Sequence, residues 1–231
     1  MPDPILDRRQ MLVIGAAVSG AAAVPAVAAT APSPAFTAKP LPFDPKAVPG
    51  LSEKLLVSHF ENNYGNAVRK IGAITAEVAA MDVATAPGYR LNGLKREELL
   101  AWNSVVLHEL YFAGLGLAVA PSPALARALE RDFGGHEAWR AQFSAMGKAL
   151  GGGSGWVILA WSRRDGRLVN QWAGDHTMSL ADGAPLLALD MYEHAYAMDY
   201  GAKAASYVDA FMKAMTWSEA NRRFAREIAE A

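Results

Sequence analysis

Residues 190–196 read Asp-Met-Tyr-Glu-His-Ala-Tyr, and this stretch decides more about the fold than any other part of the chain. It sets a carboxylate and an imidazole, those of Asp190 and His194, four residues apart among apolar and aromatic neighbours. Burying such polar groups costs free energy unless a partner compensates for the lost hydration. A bound metal ion is one such partner, and a buried hydrogen bond between the two side chains is another. The segment alone favours neither, so the rest of the chain has to decide.

Composition limits both the class of protein and the kind of metal site. With 231 residues, 52% of them hydrophobic and 19% charged, the chain is long enough for a globular protein with a sizeable core. The formal net charge of -1 leaves no basic excess, which argues against nucleic acid as a partner. The absence of cysteine excludes disulfides, thiolate ligands, iron–sulfur clusters and a cysteine nucleophile. Any metal must therefore be bound by nitrogen and oxygen.

The N-terminal segment has the pattern of an export signal. Arg8 and Arg9 directly precede an apolar run over residues 11–29 that ends in small residues. This pattern resembles a bacterial twin-arginine signal, and it predicts cleavage near Ala28 or Ala29. An uncleaved membrane anchor is the alternative, but the run consists mostly of Ala, Val and Gly and closes on a cleavage motif. We therefore expect a periplasmic protein that meets the membrane only during export.

The next two segments predict an arm and a helical hairpin. Proline recurs through residues 30–50, which predicts an extended, proline-rich arm. Residues 51–120 follow as an N-terminal helical-hairpin domain, whose first helix starts at the N-cap residue Ser52. A break at residues 86–88 separates it from a second helix, which we predict from about Lys95 to Ala118.

Residues 124–231 predict a C-terminal α/β domain. The pattern is helical over residues 124–150, with an interruption at residues 133–135. Buried strands are predicted at residues 156–161 and 168–172, joined by a hairpin turn, and a third short strand at residues 186–189 ends at Asp190. The pattern is helical again beyond Glu193. The chain is therefore predicted to have an α+β fold.

Two further histidines are candidates for a site. His59 and His108 each lie in the middle of a predicted helix, on faces rich in apolar residues, and paired helices can bring such side chains together. For either one alone, a hydrogen-bonded core histidine is the commoner outcome. Together with Asp190 and His194 they form a nitrogen-rich set that suits a redox-active first-row metal. His136 and His176 follow turns and are predicted to be solvated loop residues.

The segment at residues 190–196 is similar to the D-x-W-E-H-A-Y signature of the iron/manganese superoxide dismutases. The segment at residues 108–112, His-Glu-Leu-Tyr-Phe, resembles the second ligand motif of that family, H-x-x-Y-W, and His59 stands at its first ligand position. Residues 133–135 and 153–156 also follow the family's order. The resemblance extends from about residue 39 to the end of the chain.

This resemblance implies a fold, a site and an activity. It implies a three-stranded antiparallel sheet, with the metal between the helical hairpin and the α/β part. The implied ligands of one iron or manganese ion are a solvent molecule and four side chains, those of His59, His108, Asp190 and His194. The implied activity is the conversion of superoxide to oxygen and hydrogen peroxide by ping-pong redox cycling, with metal-bound solvent as the reacting group and no separate catalytic residue.

The resemblance also implies surroundings for the metal and a partner. Tyr111, Trp156 and Tyr192 match positions that wall the metal pocket. Glu193 matches a residue that reaches across a homodimer to the partner's metal-ligating histidine, so the Glu193–His194 pair implies a dimer contact.

Several positions depart from the family pattern. Ala67 replaces a tyrosine of the substrate gateway, and Ala197 replaces the second tyrosine of the usual H-A-Y-Y. At the two places from which family members supply a glutamine to the metal-bound solvent, this chain has Ser104 and Ala173. Tyr64, on the same predicted helix as Ala67, and Asn63 are the two candidates to replace the missing hydrogen-bonding groups.

These departures leave alternatives for the function and the metal. A non-catalytic metal-binding protein on the same scaffold is the second hypothesis, and a metallohydrolase is a distant third. Residues 173–174, Ala-Gly, resemble the iron-type sequence, so iron is the expected metal, with manganese as the alternative.

Overall fold

The computed structural model describes residues 36–230. The predicted signal, residues 1–29, and the first residues of the proline-rich arm lie outside the described residues. Within residues 36–230 a helical hairpin precedes an α/β part with a three-stranded antiparallel sheet, which confirms the predicted fold class. No helix among the described residues is both long and apolar enough to span a bilayer.

The N-terminal half is a hairpin of two long helical stretches. The first stretch contains a π-helical turn, and its parts are α1 (Glu53–Ser58), the π turn (His59–Tyr64) and α2 (Gly65–Ala79). Ser52 caps α1 as predicted, because its Oγ accepts a hydrogen bond from the Leu55 amide at 3.1 Å. The second stretch is α3 (Gly88–Ala113).

Both ends of α3 differ from the prediction of residues 95–118. The helix starts earlier because the carbonyl of Pro87 already accepts bonds from the amides of Arg90 and Leu91. It ends earlier because the chain at Gly114 lies against the sheet, where an added Cβ would come within 2.7 Å of Leu187 Cδ1. Residue 115 then forms a β-bridge with residue 215 instead of continuing the helix.

The C-terminal half contains two helices, three strands and a closing helical segment. The first five elements are α4 (Pro123–Phe133), α5 (His136–Ala149), β1 (Trp156–Ser162), β2 (Arg167–Ala173) and β3 (Gly183–Asp190). A 3-10 turn (Glu193–Ala195) then precedes α6 (Ala197–Tyr200), α7 (Ala204–Ala214) and α8 (Ser218–Ala229). The predicted interruption at residues 133–135 is present, because Gly134 ends α4 in the left-handed region at φ 81°.

The sheet places Asp190 beside the hairpin. The strand order is β2-β1-β3, all neighbours are antiparallel, and every residue of the central strand β1 is buried. Trp156, the first residue of β1, pairs with Ala173 on one side and Asp190 on the other. One continuous hydrophobic core contains residues of both halves, among them Leu110 of α3 and Leu187 of β3. The end of β3 therefore faces the two hairpin helices.

Candidate metal centre

Four side chains converge at the junction of the hairpin and the sheet. Donor atoms of His59, His108, Asp190 and His194 all lie within 4.8 Å of one another. Oδ2 of Asp190 is at the centre, 3.1 Å from Nε2 of His59, 3.3 Å from Nε2 of His194 and 3.6 Å from Nε2 of His108. The predicted convergence of the four ligands, two from each half of the chain, is confirmed.

Each ligand is set by a distinct local structure. His59 opens the π turn, a form of helix that recurs at functional sites. Asp190 is the last residue of β3, and its Oδ1 accepts the amide of Tyr192 at 2.8 Å, which leaves Oδ2 for the centre. The main-chain carbonyl of Asp190 accepts a hydrogen bond of 2.7 Å from the hydroxyl of Tyr207. These bonds hold the turn that delivers His194 back to the same point.

Burial determines the protonation of the ligands. Desolvation lowers the pKa of His108 to about 3 and lowers that of His59 in spite of its hydrogen bond to Asp190. Burial alone would raise the pKa of Asp190, but hydrogen bonds from His194 and His59 outweigh it and hold this pKa well below its usual range. Neutral His59 and His108 and an ionised carboxylate are the forms in which these side chains bind metal ions.

The hydrogen bonds of His108 leave one ring nitrogen free for a ligand. Its Nδ1 donates to the carbonyl oxygen of Ser104 at 2.7 Å, so the proton of the neutral ring is on Nδ1 and the lone pair on Nε2. Nε2 is buried and has no hydrogen-bond partner among residues 36–230. An unsatisfied buried polar atom costs about 1–3 kcal/mol. A cation beside Asp190 would remove that cost, so the donor set fits a metal ion.

Aromatic rings enclose the four ligands. The rings of Tyr111 and Phe112 lie 4.9 and 5.1 Å from that of His59, measured between centroids. Trp156 meets His108 edge-on at 5.2 Å, and Tyr192 stacks on His194 at 5.3 Å. These rings bury the side chains of His59, His108 and Asp190 and lower the local dielectric, which strengthens the interaction of the carboxylate with a cation.

A cavity of about 380 Å³ connects two of the ligands with solvent. Its walls come mainly from the π turn, α2 and α3, and its lining residues are Asn62, Asn63, Asn66, Ala67, Lys70, Leu100, Ala101, Ser104, His108, His176 and His194. Two of the lining side chains, those of Ala67 and Ser104, are small. Lys70 is the one lysine in this lining, and its ammonium group pairs with Glu97 at 2.6 Å. A small anion therefore has access to His108 and His194.

His176 lies in the loop after β2, but it is half-buried and lines this cavity instead of being fully solvated. Its Nδ1 accepts a hydrogen bond of 3.0 Å from the indole N–H of Trp156, and its ring stacks on Tyr192 at 5.0 Å. Its carbonyl oxygen accepts the side-chain amide of Asn103 at 2.5 Å. Because Nδ1 is an acceptor, the proton of the neutral ring is on Nε2. Burial lowers the pKa of His176, which favours this neutral form.

The sequence analysis missed His176 because it placed Ser104 and Ala173 at the positions from which family members supply a glutamine to the metal-bound solvent. Ala173 is fully buried at the end of β2, and the chain then turns back over the cavity. The turn is made by the carboxylate of Asp175, which accepts bonds from both the amide and the hydroxyl of Thr177 at 2.7 and 2.6 Å. An Asp-x-Thr turn directly after a strand was the signal that could have located the histidine between them.

The structure does not place Tyr64 in this cavity. Its hydroxyl accepts the amide of Lys39 at 2.8 Å and donates to Oε1 of Glu109 at 3.1 Å. The residue lines a different cleft together with Phe60 and Phe112. Burial is the main reason why the pKa of Tyr64 is raised to about 12. The phenol therefore fastens the arm to the hairpin, and Tyr64 does not replace the tyrosine missing at Ala67.

Two remaining predicted residues lie at the surface. Glu193 is exposed, although it adjoins the ligand His194. The side chain of His194 is itself 29% exposed, whereas the side chains of the other three ligands are almost fully buried. His136 is the first residue of α5 and not part of a loop, with its ring 5.6 Å from Trp139 and 5.7 Å from Trp217.

Comparison with known proteins finds one matching family model and several similar proteins. The family model described as "Iron/manganese superoxide dismutases, C-terminal domain" matches residues 121–223. A "Superoxide dismutase [Fe]" from Cupriavidus metallidurans is 62% identical over 193 residues, which are 84% of this chain and 98% of that protein. A "Superoxide dismutase [Fe]" from Aquifex pyrophilus is 36% identical over 188 residues, 78% of this chain and 87% of that protein. A "Superoxide dismutase [Mn] 1" from Halobacterium salinarum is 33% identical over 189 residues, 80% and 92% of the two chains.

Proposed function

The chain belongs to the iron/manganese superoxide dismutase family, and we propose how its centre carries out that family's reaction with a single iron ion. It is a superoxide dismutase, which converts superoxide to oxygen and hydrogen peroxide. The observation that carries this conclusion is the complete set of four converging ligands, His59, His108, Asp190 and His194, in a chain that covers 98% of a relative named for the same activity.

Iron is the proposed metal. The relative that is 62% identical is named as an iron enzyme, whereas the manganese relative from Halobacterium salinarum is 33% identical. Three imidazoles and one carboxylate suit either ion, so the donor atoms alone do not discriminate. The support for iron is therefore the overall similarity, together with the Ala-Gly pair at residues 173–174.

The protein contributes access, partial exclusion of water and a hydrogen-bond donor. When bound, the ion supplies the one-electron chemistry that takes an electron from one superoxide and gives it to another. The aromatic rings around His59 shield that side of the centre from bulk water, while the cavity admits a small anion past Lys70. The Nε2–H of His176 supplies a hydrogen-bond donor in the same cavity. A hydrogen-bond donor of this kind orients the superoxide or the solvent molecule through which a proton reaches it.

This arrangement also bears on the non-catalytic alternative. That alternative rested on the missing gateway tyrosine at Ala67 and the missing glutamine at Ser104 and Ala173. The cavity remains open from solvent to His108 and His194. His176 provides a hydrogen-bond donor that the family's motif pattern had not indicated. Both features favour turnover over metal storage.

A homodimer is a further proposal. Glu193 is exposed next to a metal ligand, and its neighbour His194 is the least buried of the four ligands. A carboxylate from a partner chain that accepts a hydrogen bond from this imidazole would fix the ring and increase its strength as a ligand. We propose that Glu193 of each chain makes this bond to His194 of the partner.

Export to the periplasm is proposed from residues 1–29 alone. The arginine pair and the small residues at the end of the apolar run support a twin-arginine signal. Replacing Arg8 and Arg9 by Lys should leave the precursor and its activity in the cytoplasm. Normal export of that variant would contradict this route.

The function is tested on the purified chain without residues 1–29. Metal content and superoxide dismutation are measured after loading with iron and, separately, with manganese, and Asp190→Asn serves as the isosteric ligand variant. We expect activity with iron, and loss of both metal and activity in the variant. Full iron occupancy of the wild-type chain without dismutation would instead establish the non-catalytic metal-binding protein.

A further inference from the structure

The turn that carries His176 is closed by a methionine sulfur. The amide of Gly174 donates to Sδ of Met178 at 3.2 Å, so the contact joins the residues two positions before and two positions after the histidine. The bonds between Asp175 and Thr177 lie inside this loop. The position of the imidazole over the cavity therefore depends on a short closed turn in which a thioether makes the outermost contact.

This sulfur is carried by one of the two exposed methionines in the described part of the chain. Met178 is 40% exposed and Met198, in α6, is 47% exposed. No hydrogen bond to the sulfur of Met198 occurs within residues 36–230, whereas that of Met178 accepts the Gly174 amide. The two side chains thus have similar access to solvent but different structural roles, which makes Met198 a matched control.

We propose that Met178 is a modification site for hydrogen peroxide, the product of this enzyme, and that its oxidation displaces His176. One lone pair of the sulfur accepts the Gly174 amide, and the other attacks an oxygen of the peroxide. The O–O bond breaks, an S–O bond forms, and the second oxygen leaves as water. The sulfur loses two electrons to the peroxide, and the product is methionine sulfoxide.

Oxidation removes the acceptor of the Gly174 amide, because the sulfur of a sulfoxide bears a partial positive charge and the negative charge lies on the added oxygen. A Cβ built on Gly174 would lie 3.1 Å from Cη2 of Trp172 and 3.6 Å from Cε of Met178, so this side of the turn is already filled. The added oxygen therefore points into solvent, to which Met178 is 40% exposed. The Gly174 amide then has no acceptor, the turn loses its outermost contact, and we expect His176 to shift relative to Trp156 on the remaining bonds from Asp175 and Asn103.

The consequence is a decrease in activity as peroxide accumulates. This step rests on the proposed role of His176 as the donor in the cavity. Loss of a polar group that supports a metal site reduces activity by about 10–100-fold, and we expect a decrease near 10-fold because the displaced ring remains in the molecule. Methionine sulfoxide is reversible by the two methionine sulfoxide reductases, so the decrease is also reversible.

The experiment treats the metal-free chain with hydrogen peroxide, which excludes oxidation by metal-centred radicals. Peptide mass spectrometry measures the sulfoxide at Met178 and Met198, and ¹⁵N NMR follows the indole N–H of Trp156, the donor to His176. We expect the sulfoxide at Met178 to accompany a shift of this signal. Both readouts precede metal loading, so they test the proposal separately from dismutation.

Iron is then loaded and the activity of each variant is compared with that of its own untreated sample. Wild-type and Met198→Leu proteins should lose about 10-fold, as expected for displacement of a supporting group, and reductase treatment should restore both. Met178→Leu should keep its untreated activity. A thioether at Met178 that survives while Met198 is oxidised would overturn the proposal. So would full oxidation of Met178 with an unchanged Trp156 signal.

Discussion

His176 offers the most informative perturbation of this centre. Its imidazole lines the cavity and accepts a hydrogen bond of 3.0 Å from the indole N–H of Trp156, which leaves its Nε2–H as a donor. His176→Ala removes both functions at once. His176→Gln keeps an acceptor oxygen and an N–H donor in one side chain, so it separates the loss of hydrogen bonding from the loss of the ring.

The structure sets the size of both effects. Trp156 is fully buried, so its indole N–H is left without an acceptor in the alanine variant, which costs about 1–3 kcal/mol in the free energy of unfolding. Removal of the donor from the cavity should reduce activity by about 10–100-fold, the range for groups that support a metal site. The glutamine variant should recover part of both losses.

The assay compares superoxide dismutation per bound iron and urea unfolding of the metal-free protein. Metal content is measured for each variant, so a loss of iron is not mistaken for a loss of catalysis. His136→Ala is the matched control, because that histidine lies at the start of α5 beside Trp139 and Trp217 and should leave the activity per iron unchanged. An alanine variant of His176 with wild-type activity and stability would refute the role assigned to this residue.

Three further predictions follow from the same geometry. Glu193→Ala should weaken both dimerisation and iron retention, measured by sedimentation and metal analysis, whereas Glu137→Ala, at an exposed carboxylate of α5, should change neither. Glu97→Gln should release Lys70 from its 2.6 Å ion pair beside the cavity and raise kcat/KM at low ionic strength, with no gain at high salt; a gain that salt does not remove would contradict this. The metal-free chain should lose stability as the pH falls below 6.5, because the unfolded state then binds a proton that the buried His108, with its pKa lowered to about 3, does not. Urea unfolding from pH 7 to pH 4 measures the free energy of unfolding, which should fall by about 1.4 kcal/mol per pH unit for each buried histidine that stays unprotonated in the folded state. A free energy of unfolding that does not change with pH would contradict this.

The helices and strands that follow from the periodic spacing of apolar residues, and the four metal ligands, could be predicted from the sequence. Strands β1 and β3 are almost entirely apolar, and Asp190 follows such a run directly, so both the sheet and the position of the carboxylate could be inferred. The pairing of His59 with His108 required two long helices of one hairpin, which the spacing of apolar residues indicated. The strands and the helices are both visible in short stretches of sequence, either as an apolar run or as a regular spacing of apolar residues.

The surroundings of the metal depend instead on how loops return. His176 reaches the cavity through a turn held by Asp175 and Thr177, and strand periodicity contains no information about such a turn. Tyr64 lies five residues after His59, but the π turn between them and the bond to Glu109 direct its hydroxyl into another cleft. A uniform α-helical spacing could not have shown this.

The π turn has a consequence for how an ion enters and leaves the protein. Its widened hydrogen-bond ring, closed by the amide of Gly65 on the carbonyl of Phe60, is less favourable than the rings of α1 and α2 on either side. Local opening of a helix begins where its backbone bonds are weakest. His59 is therefore the ligand that we expect to swing away first, and the hydrogen exchange of residues 59–65 should slow when iron is bound. Iron exchange would then proceed through a momentary three-ligand centre rather than through separation of the hairpin from the sheet.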